Sequence, residues 1–174
     1  VDYVTGDLIK NEGIGPAVEG ARIVLHCAGG PTGDDEATRN LVNAVSRVGV
    51  QHLMYISVIG ADRIPVVSWI DRAMFSYFGT KLAAGRMVAS SGVPWTILRA
   101  SQFHQLLLTV AQQMAKLPVI PAPAGFRVQP IDAGEVAECL VELALGRPEG
   151  RVPDMAGPKV YRLADLLRLY LKAR

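Results

Sequence analysis

The stretch "ARIVLHCAGGPTGDDEATRNLVNAVSRVGVQHLMYISVIG" (21–60) decides the fold. Its continuous apolar run at 21–29 is typical of a strand that is buried on both faces of a parallel sheet. A helix is predicted over roughly 35–48, because apolar residues recur there at helical spacing and Gly49 follows the last of them. The apolar face of this helix consists of Ala37, Leu41, Ala44, Val45 and Val48. The second apolar run, at 51–60, predicts the next strand and completes a parallel strand–helix–strand unit.

The rest of the chain continues this alternation. Strands are predicted at 2–8, 93–101 and 151–157. Helices are predicted at 14–20, 70–90, 103–117, 132–146 and 161–173. The proline-rich segment 118–130 predicts a short hairpin or paired loops, because proline cannot donate a hydrogen bond within a central strand. The pattern therefore predicts an α/β fold, a Rossmann-like doubly wound parallel sheet with helices on both faces.

Composition narrows the class of protein. The chain has 174 residues and a formal net charge of +2, without a dense run of Lys and Arg, so we expect neither a nucleic-acid nor a membrane partner. No secretion signal is recognisable, and we expect a cytoplasmic protein in which Cys27 and Cys139 are buried free thiols. The three histidines and two cysteines lack metal-ligand spacing, so we expect no metal.

Small residues follow four of the predicted strands, at 6–8, 27–30, 57–60 and 99–103. Because the carboxyl ends of parallel strands meet at one edge, we expect a ligand site there. Each single loop could equally be an ordinary Gly- and Ser-rich connection, but four together favour a flat ligand that approaches the backbone closely.

Tyr77 and Lys81 stand four residues apart on the predicted helix 70–90 and therefore share a face. With Ser57 at the end of a neighbouring strand, they could serve hydride transfer to a carbonyl. Tyr77 would donate the proton, Lys81 would lower the pKa of the phenol and Ser57 would hold the substrate oxygen. Two surface side chains on one turn of helix are the alternative reading of this spacing.

Six segments carry a resemblance to a known family. They are "VTGDL" (4–8), "GARIVLHCAG" (20–29), "GVQHLMYISVIGAD" (49–62), "YFGTKLAAGRMVASSGVPWTILRASQFH" (77–104), "VQPIDAGEVAECLVELAL" (128–145) and "GPKVYRLADLLRLYL" (157–171). The chain resembles the NmrA-like, atypical branch of the short-chain dehydrogenase/reductase superfamily over nearly its whole length. This resemblance implies a single NAD(P)H-binding Rossmann domain over 1–174, with a small C-terminal substrate lobe contributed by 103–130 and 151–174.

The resemblance also implies which residues contact the cofactor. Asp7 and Leu8 would lie at the adenine. The ribose and nicotinamide contacts would come from Cys27, Ala28, Gly29, Ser57, Val58, Ile59, Lys81, Ala100, Ser101, Gln102 and Phe103. Gln102 and His104 would border the substrate. NADP is the preferred guess over NAD, although the residue that discriminates between them follows a strand that is not recognisable here.

Three departures from the family pattern bear on function. Many members of this branch keep the lysine without a catalytic tyrosine, which weakens the role of Tyr77. Gly85 replaces a usual Glu, so a helix carboxylate near Lys81 is absent. No glycine-rich phosphate turn is present. Because Val1 aligns with the family's third strand, we expect the N-terminal βαβ portion, about 50 residues, to be missing from this chain.

Three readings of function follow as hypotheses. The first is an NAD(P)H-dependent oxidoreductase that transfers hydride to a small carbonyl or quinone acceptor. The alternative is a non-catalytic NAD(P)-binding redox-sensing regulator, and a degenerate fold kept for protein contacts is a third reading. Substrate identity and oligomeric state stay open, with a homodimer as one of the states to test.

Overall fold

The structure, a computed structural model, describes residues 1–30, 32–63, 69–117 and 125–173, with the backbone alone at 69–75. It divides into two compact units. Unit 1 comprises Val1–Arg99 and Leu140–Pro153, and unit 2 comprises Ala100–Cys139 and Asp154–Arg174. The predicted assignment of 103–130 and 151–174 to a substrate lobe stays a prediction.

Unit 1 holds a parallel sheet and most of the helices. Its elements in chain order are α1 (Ile14–Val18), β1 (Ile23–His26), α2 (Asp34–Val48), β2 (His52–Val58), α3 (Trp69–Ala89), β3 (Trp95–Ala100, whose last residue belongs to unit 2) and β5 (Gly150–Arg151). The strand order is β1-β2-β3-β5, in which β1 runs parallel to β2 and β3 runs parallel to β5. This arrangement confirms the predicted α/β fold with a parallel sheet.

Helix α2 begins and ends where the sequence predicts, and its ends show why. Gly33 and Gly49 flank it in the left-handed conformation (φ 83° and 70°), which glycine adopts without strain. Three acidic residues in its first turn, Asp34, Asp35 and Glu36, complement the positive end of the helix dipole. Ala37, Leu41 and Val45 are buried as predicted, whereas Val48 is 43% exposed and does not belong to the buried face.

Strand β2 forms the centre of the core of unit 1. Leu53, Met54 and Tyr55 are fully buried, which is the pattern of a strand covered on both faces. Ala84 and Val88 of α3 are equally buried and belong to the same apolar cluster as Leu53 and Tyr55. The positions of β2, α3 and β3 confirm the strands and the helix predicted from these runs.

The predicted strand at 2–8 is wrong. Residues 1–6 have no regular secondary structure, and Asp7 forms only an isolated antiparallel bridge with Glu12. The Asp7 carboxylate accepts hydrogen bonds from the backbone N–H groups of Ile9 and Lys10, at 2.9 and 3.0 Å, and so closes a turn. An extended segment needs a neighbouring strand to pair its backbone, and no described strand lies beside 2–8.

Burial of the strand at 21–29 on both faces is also wrong. Strand β1 lies at one end of the described strand order, and Ile23 and Leu25 are 42% and 41% exposed. Cys27, which follows it, is a free thiol as predicted, but it is exposed rather than buried. Cys139 is likewise free and only partly buried.

Unit 2 is built from short strands and helices. Its elements are α4 (His104–Met114), β4 (Arg127–Val128), the first part of α5 (Ala133–Leu145), β6 (Tyr161–Arg162) and α6 (Leu163–Ala173). Strands β4 and β6 pair in antiparallel orientation. Asp132 accepts a hydrogen bond from the Gly134 N–H at 2.7 Å and so caps the start of α5.

Part of the sequence prediction falls beyond the described residues. The expected hairpin at 118–130 includes 118–124, which lie outside the described ranges. Within those ranges, no helix has both the length and the apolar character needed to cross a membrane. The described His, Cys, Asp and Glu side chains likewise form no group of three suited to a metal ion.

Candidate functional site

A buried ion pair lies beside the turn that follows β1. The Lys81 Nζ of α3 is 2.7 Å from the Asp34 Oδ2 at the start of α2, and both side chains are about 95% buried. The other carboxylate oxygen, Oδ1, accepts a hydrogen bond from the backbone N–H of Gly30 at 2.9 Å. Asp34 therefore connects α2, α3 and the turn at 27–30.

The backbone of this turn lies against the same ion pair. A Cβ atom added to Gly29 would lie 2.8 Å from Lys81 Nζ and 3.4 Å from both Asp34 oxygens. Such a contact is too short to persist, so Gly29 is the residue that permits the close approach. The structure thus brings the predicted cofactor residues Cys27, Ala28 and Gly29 to one place with Lys81.

Tyr77 lies near the lysine but does not show the expected electrostatics. Lys81 Nζ is 5.8 Å from the centroid of its ring, and the tyrosine is 38% exposed. Burial, followed by the negative charge of Asp34, raises the pKa of Tyr77. The expectation that Lys81 would lower this pKa is therefore not met, since the lysine is already paired with a carboxylate.

A second tyrosine, Tyr55 of β2, lies closer to the lysine. Lys81 Nζ is 5.2 Å from the centroid of its ring, and Tyr55 is fully buried. Its hydroxyl has no hydrogen-bond partner among the described residues. Burial raises the pKa of Tyr55 strongly, and the charge of Asp34 adds to this effect, so Tyr55 is a neutral phenol.

His26, the last residue of β1, completes the cluster. Its ring centroid is 5.3 Å from that of Tyr55, and its Nε2 is 3.0 Å from the hydroxyl oxygen of Thr38 on α2. Burial, reinforced by the positive charge of Lys81, lowers the pKa of His26 to about 4. The imidazole is therefore neutral near pH 7.

Ser57 and Val58 end β2 and are buried, at 8% exposure each. Ser57 points to the same face of the strand as Tyr55, because side chains alternate along a strand. Among the described residues, no hydrogen bond joins Ser57 to Tyr77 or Lys81. The predicted role of Ser57 as orienter of the substrate stays a prediction.

Asp7 and Leu8 line a cavity of about 200 Å³ in unit 1. Asn40 of α2 donates hydrogen bonds to the carbonyl oxygens of Leu8 and Ile9, at 2.8 and 3.2 Å, and so fixes the loop. A hydrogen bond from the backbone of Lys10 holds the pKa of Asp7 below its usual value. Its carboxylate is thus engaged in the turn, and its predicted contact with adenine stays a prediction.

The predicted nicotinamide-side residues lie at the start of unit 2. The Ser101 hydroxyl donates a hydrogen bond to the carbonyl oxygen of Gln129 at 2.6 Å, and Ser101 is buried. Phe103 precedes α4 and His104 is its exposed first residue, while Ala100 ends β3. Gln102 accepts a hydrogen bond from the Ile131 N–H at 3.0 Å.

Another ion pair, which the sequence reading missed, lies beyond the end of β2. Asp62 Oδ1 is 2.7 Å from Arg99 of β3, and Asp62 Oδ2 is 3.4 Å from Arg151 of β5. Burial raises the pKa of Asp62, but the hydrogen bond from Arg99, a backbone hydrogen bond and the charges of Arg99 and Arg151 together outweigh burial and leave this pKa below the usual value. These contacts join the segment after β2 to β3 and β5.

Comparisons with known proteins agree with this geometry. Residues 1–146 match a family model described as NAD(P)H-binding. No curated protein sequence matches the chain. The NADPH-dependent quinone oxidoreductase of Escherichia coli, solved with NADPH, superimposes with a TM-score of 0.78 at 21% identity, covering 99% of this chain and 60% of that one.

Two further solved structures share the fold. The triphenylmethane reductase of a Citrobacter species, in complex with NADP(H), gives a TM-score of 0.76 at 17% identity over 100% of this chain and 60% of its own. A nucleoside-diphosphate-sugar epimerase of Staphylococcus aureus gives 0.76 at 18% identity, with 99% and 61% covered. The chain therefore spans about three fifths of the length of these structures.

The fold is a Rossmann-like α/β fold with a parallel sheet. The chain belongs to the NAD(P)H-binding family. The predicted cofactor class and the resemblance on which it rested are confirmed at this level.

The sequence reading did not find Asp34, Tyr55 or His26. Asp34 stood in the sequence as one of three acidic residues at a helix start, which usually face water. Its burial becomes visible only when α2 and α3 are packed side by side. The carboxylate beside Lys81, expected to be absent because of Gly85, is thus supplied by a different helix.

Proposed function

We propose that the protein is an NADPH-dependent oxidoreductase of the NmrA-like type, which transfers hydride to a small carbonyl or quinone acceptor. One observation supports this most: Lys81 is buried against the turn that ends β1, with Tyr77 one helical turn before it. Carboxyl-end turns of this kind are where dinucleotides bind in doubly wound sheets. The preference for NADPH rests on two of the similar structures, which were solved with NADPH and NADP(H).

The residues present fit such a cofactor at its ribose. Gly29 and its neighbours bring bare backbone beside an ammonium group, and Lys81 has protons to donate to a sugar hydroxyl. We assign Cys27, Ala28 and Gly29 to the ribose on this basis. NADPH, when bound, supplies the hydride.

The chain's own part in the reaction is the proton. Tyr77 is a neutral phenol near pH 7, since burial and Asp34 raise its pKa, and it can donate a proton to the oxygen that becomes negative. Its partial exposure allows it to recover that proton from water. Lys81 anchors the cofactor, and Ser57 is assigned to orient the acceptor oxygen.

The test is an NADPH oxidation assay against quinones and small aldehydes, with Tyr77→Phe as the informative variant. We expect Tyr77→Phe to lose roughly 10²-fold or more of the turnover while NADPH binding is retained. Tyr3→Phe is the matched control, because Tyr3 is 92% exposed and outside the site. Full activity of Tyr77→Phe would remove Tyr77 from the mechanism.

The redox-sensing regulator is kept as a second candidate because of one observation. Lys81 is paired with Asp34, and the pKa of Tyr77 is raised rather than lowered. A lysine of this kind can hold a cofactor without taking part in chemistry. Equal binding of NADP⁺ and NADPH, without turnover on any quinone or aldehyde, would favour this function.

A further inference from the structure

We infer that Asp34 is the positioning residue of this site: it holds the Lys81 ammonium against the turn at 27–30 and balances the charge of this ammonium beside Tyr77. The catalytic meaning of this assignment rests on the proposed function, whereas the positioning itself does not. No motif marks Asp34, and its assignment comes from contacts alone.

The contacts of Asp34 are specific at both oxygens. Oδ2 is 2.7 Å from Lys81 Nζ and Oδ1 accepts the Gly30 N–H at 2.9 Å. Both are charge-assisted interactions in a buried place, which makes them stronger than the same contacts in water. A lysine side chain is long and flexible, so a buried carboxylate of this kind is what selects one position for its ammonium group.

The titratable groups that act on Lys81, Asp34 or Tyr77 come from four described elements. Strand β1 and its turn contribute His26 and Cys27, strand β2 contributes Tyr55, α2 contributes Asp34 and α3 contributes Lys81. Near pH 7, His26 and Tyr55 are neutral, and burial raises the pKa of the Cys27 thiol despite the nearby lysine. Asp34 and Lys81 therefore supply one negative and one positive charge that oppose each other at Tyr77.

This balance favours reduction of an acceptor over oxidation of an alcohol. In reduction, bound NADPH would supply the hydride that adds to the acceptor carbon, and the Tyr77 O–H would give its proton to the oxygen that receives the C=O electron pair. The resulting tyrosinate takes a proton from water. In the reverse direction the site would need a tyrosinate at the start, which an unbalanced Lys81 would favour and Asp34 opposes.

The experiment is a pH titration of tyrosinate absorbance in the free protein. For each variant, the curve of the same variant carrying Tyr77→Phe is subtracted, so that the difference reports Tyr77 and the other tyrosines cancel. We expect Asp34→Asn, which keeps an oxygen for the Gly30 N–H but has no charge, to lower the Tyr77 midpoint by about one pH unit. Lys81→Met should raise it, and the double variant should lie between the two single ones.

Asp35→Asn is the matched control, because Asp35 is the next carboxylate on α2 and makes no described contact with Lys81. We expect it to leave the midpoint unchanged. An Asp34→Asn protein without a downward shift, or an equal shift in Asp35→Asn, would overturn the inference. If Asp34→Asn does not fold, the double variant titrating at the same pH as Lys81→Met would overturn it instead.

The titration needs no cofactor, so it separates the two proposals. Where NADPH turnover is measurable, Asp34→Asn should shift the alkaline limb of the pH–rate profile by the same amount as the tyrosinate midpoint. A protein that never oxidises NADPH but shows the expected midpoint shift would contradict the proposed function and support the role of Asp34.

Discussion

The ammonium group of Lys81 lies too close to Gly29 to leave room for a side chain at that position. A Cβ atom there would lie 2.8 Å from Lys81 Nζ, whereas a Cβ on the adjacent Gly30 would meet its nearest neighbour, the Thr32 carbonyl oxygen, at 3.5 Å. Neither glycine has a positive φ, so the two differ in space rather than in backbone strain. This contrast separates a packing requirement from a general preference for glycine in turns.

Gly29→Ala should therefore destabilise the protein, because the methyl group pushes Lys81 away from Asp34. We expect a loss of about 1–3 kcal/mol in the free energy of unfolding, measured with urea. NADPH affinity should fall as well if the turn binds ribose. Gly30→Ala is the control and should stay within about 0.5 kcal/mol of wild type; equal effects of both variants would contradict the close contact.

A second prediction concerns the buried Asp34–Lys81 pair. Lys81→Met leaves the Asp34 carboxylate buried without its cation and should cost about 3–5 kcal/mol of unfolding free energy. The double variant Asp34→Asn/Lys81→Met removes both charges and should lose less than the single variant. A double-mutant cycle from urea unfolding measures this difference.

The exposed pair Glu36–Arg39 is a suitable comparison, since its atoms are 3.9 Å apart and both side chains are about half exposed. Arg39→Met should change the unfolding free energy by no more than about 0.5 kcal/mol. If Lys81→Met lost as little unfolding free energy as Arg39→Met, the Asp34–Lys81 pair would have to be open to water.

A third prediction follows from the lowered pKa of His26 and concerns how stability depends on pH. Its pKa is lowered from 6.5 to about 4 in the folded protein. Between these values the unfolded chain binds a proton that the folded protein does not, so lowering the pH through this window favours unfolding. At 1.36 kcal/mol per pKa unit, this shift corresponds to about 3 kcal/mol of unfolding free energy. The protein has this stability above pH 6.5 and loses it by about pH 4.

Urea unfolding at a series of pH values measures this loss, and His26→Gln should remove it. Asp7, whose pKa is held low by the Lys10 backbone, contributes stability that is lost only below its usual pKa of 3.8. The two windows therefore do not overlap. A wild-type curve that is flat between pH 4 and 6.5 would mean that water reaches the imidazole.

Much of unit 1 could be predicted from the sequence because its signals are local. Strand β2 is indicated by the apolar run around Tyr55, and helix α2 by the spacing of Ala37, Leu41 and Val45. The structure confirms both elements. Burial of a strand depends on its neighbours instead. The apolar run at 21–29 alone indicates burial on both faces, whereas Ile23 and Leu25 are exposed because β1 lies at the end of the described order.

The candidate site divides in the same way. Lys81 was found from its spacing to Tyr77, which is a local signal on one helix. Asp34 was missed because the contact joins two helices that are far apart in the chain, and no pattern of residues announces it. The predicted direction of the Tyr77 pKa shift was wrong because burial of the phenol raises this pKa, and the charge of Asp34, which the prediction also missed, adds to the effect.

Gly85 offers a final prediction, on stability alone. It lies inside α3, and a Cβ atom added there would have only the Ile97 Cδ1 within 4 Å, at 4.0 Å. Because glycine in a helix interior costs about 0.5–1 kcal/mol relative to alanine, Gly85→Ala should stabilise the protein by that amount. Gly13→Ala should do the opposite, since Gly13 has a φ of 69° and its Cβ would meet the Thr5 carbonyl oxygen. Thermal unfolding of the two variants checks both signs, and a destabilised Gly85→Ala protein would show that α3 packs more tightly at this position than the space around Gly85 indicates.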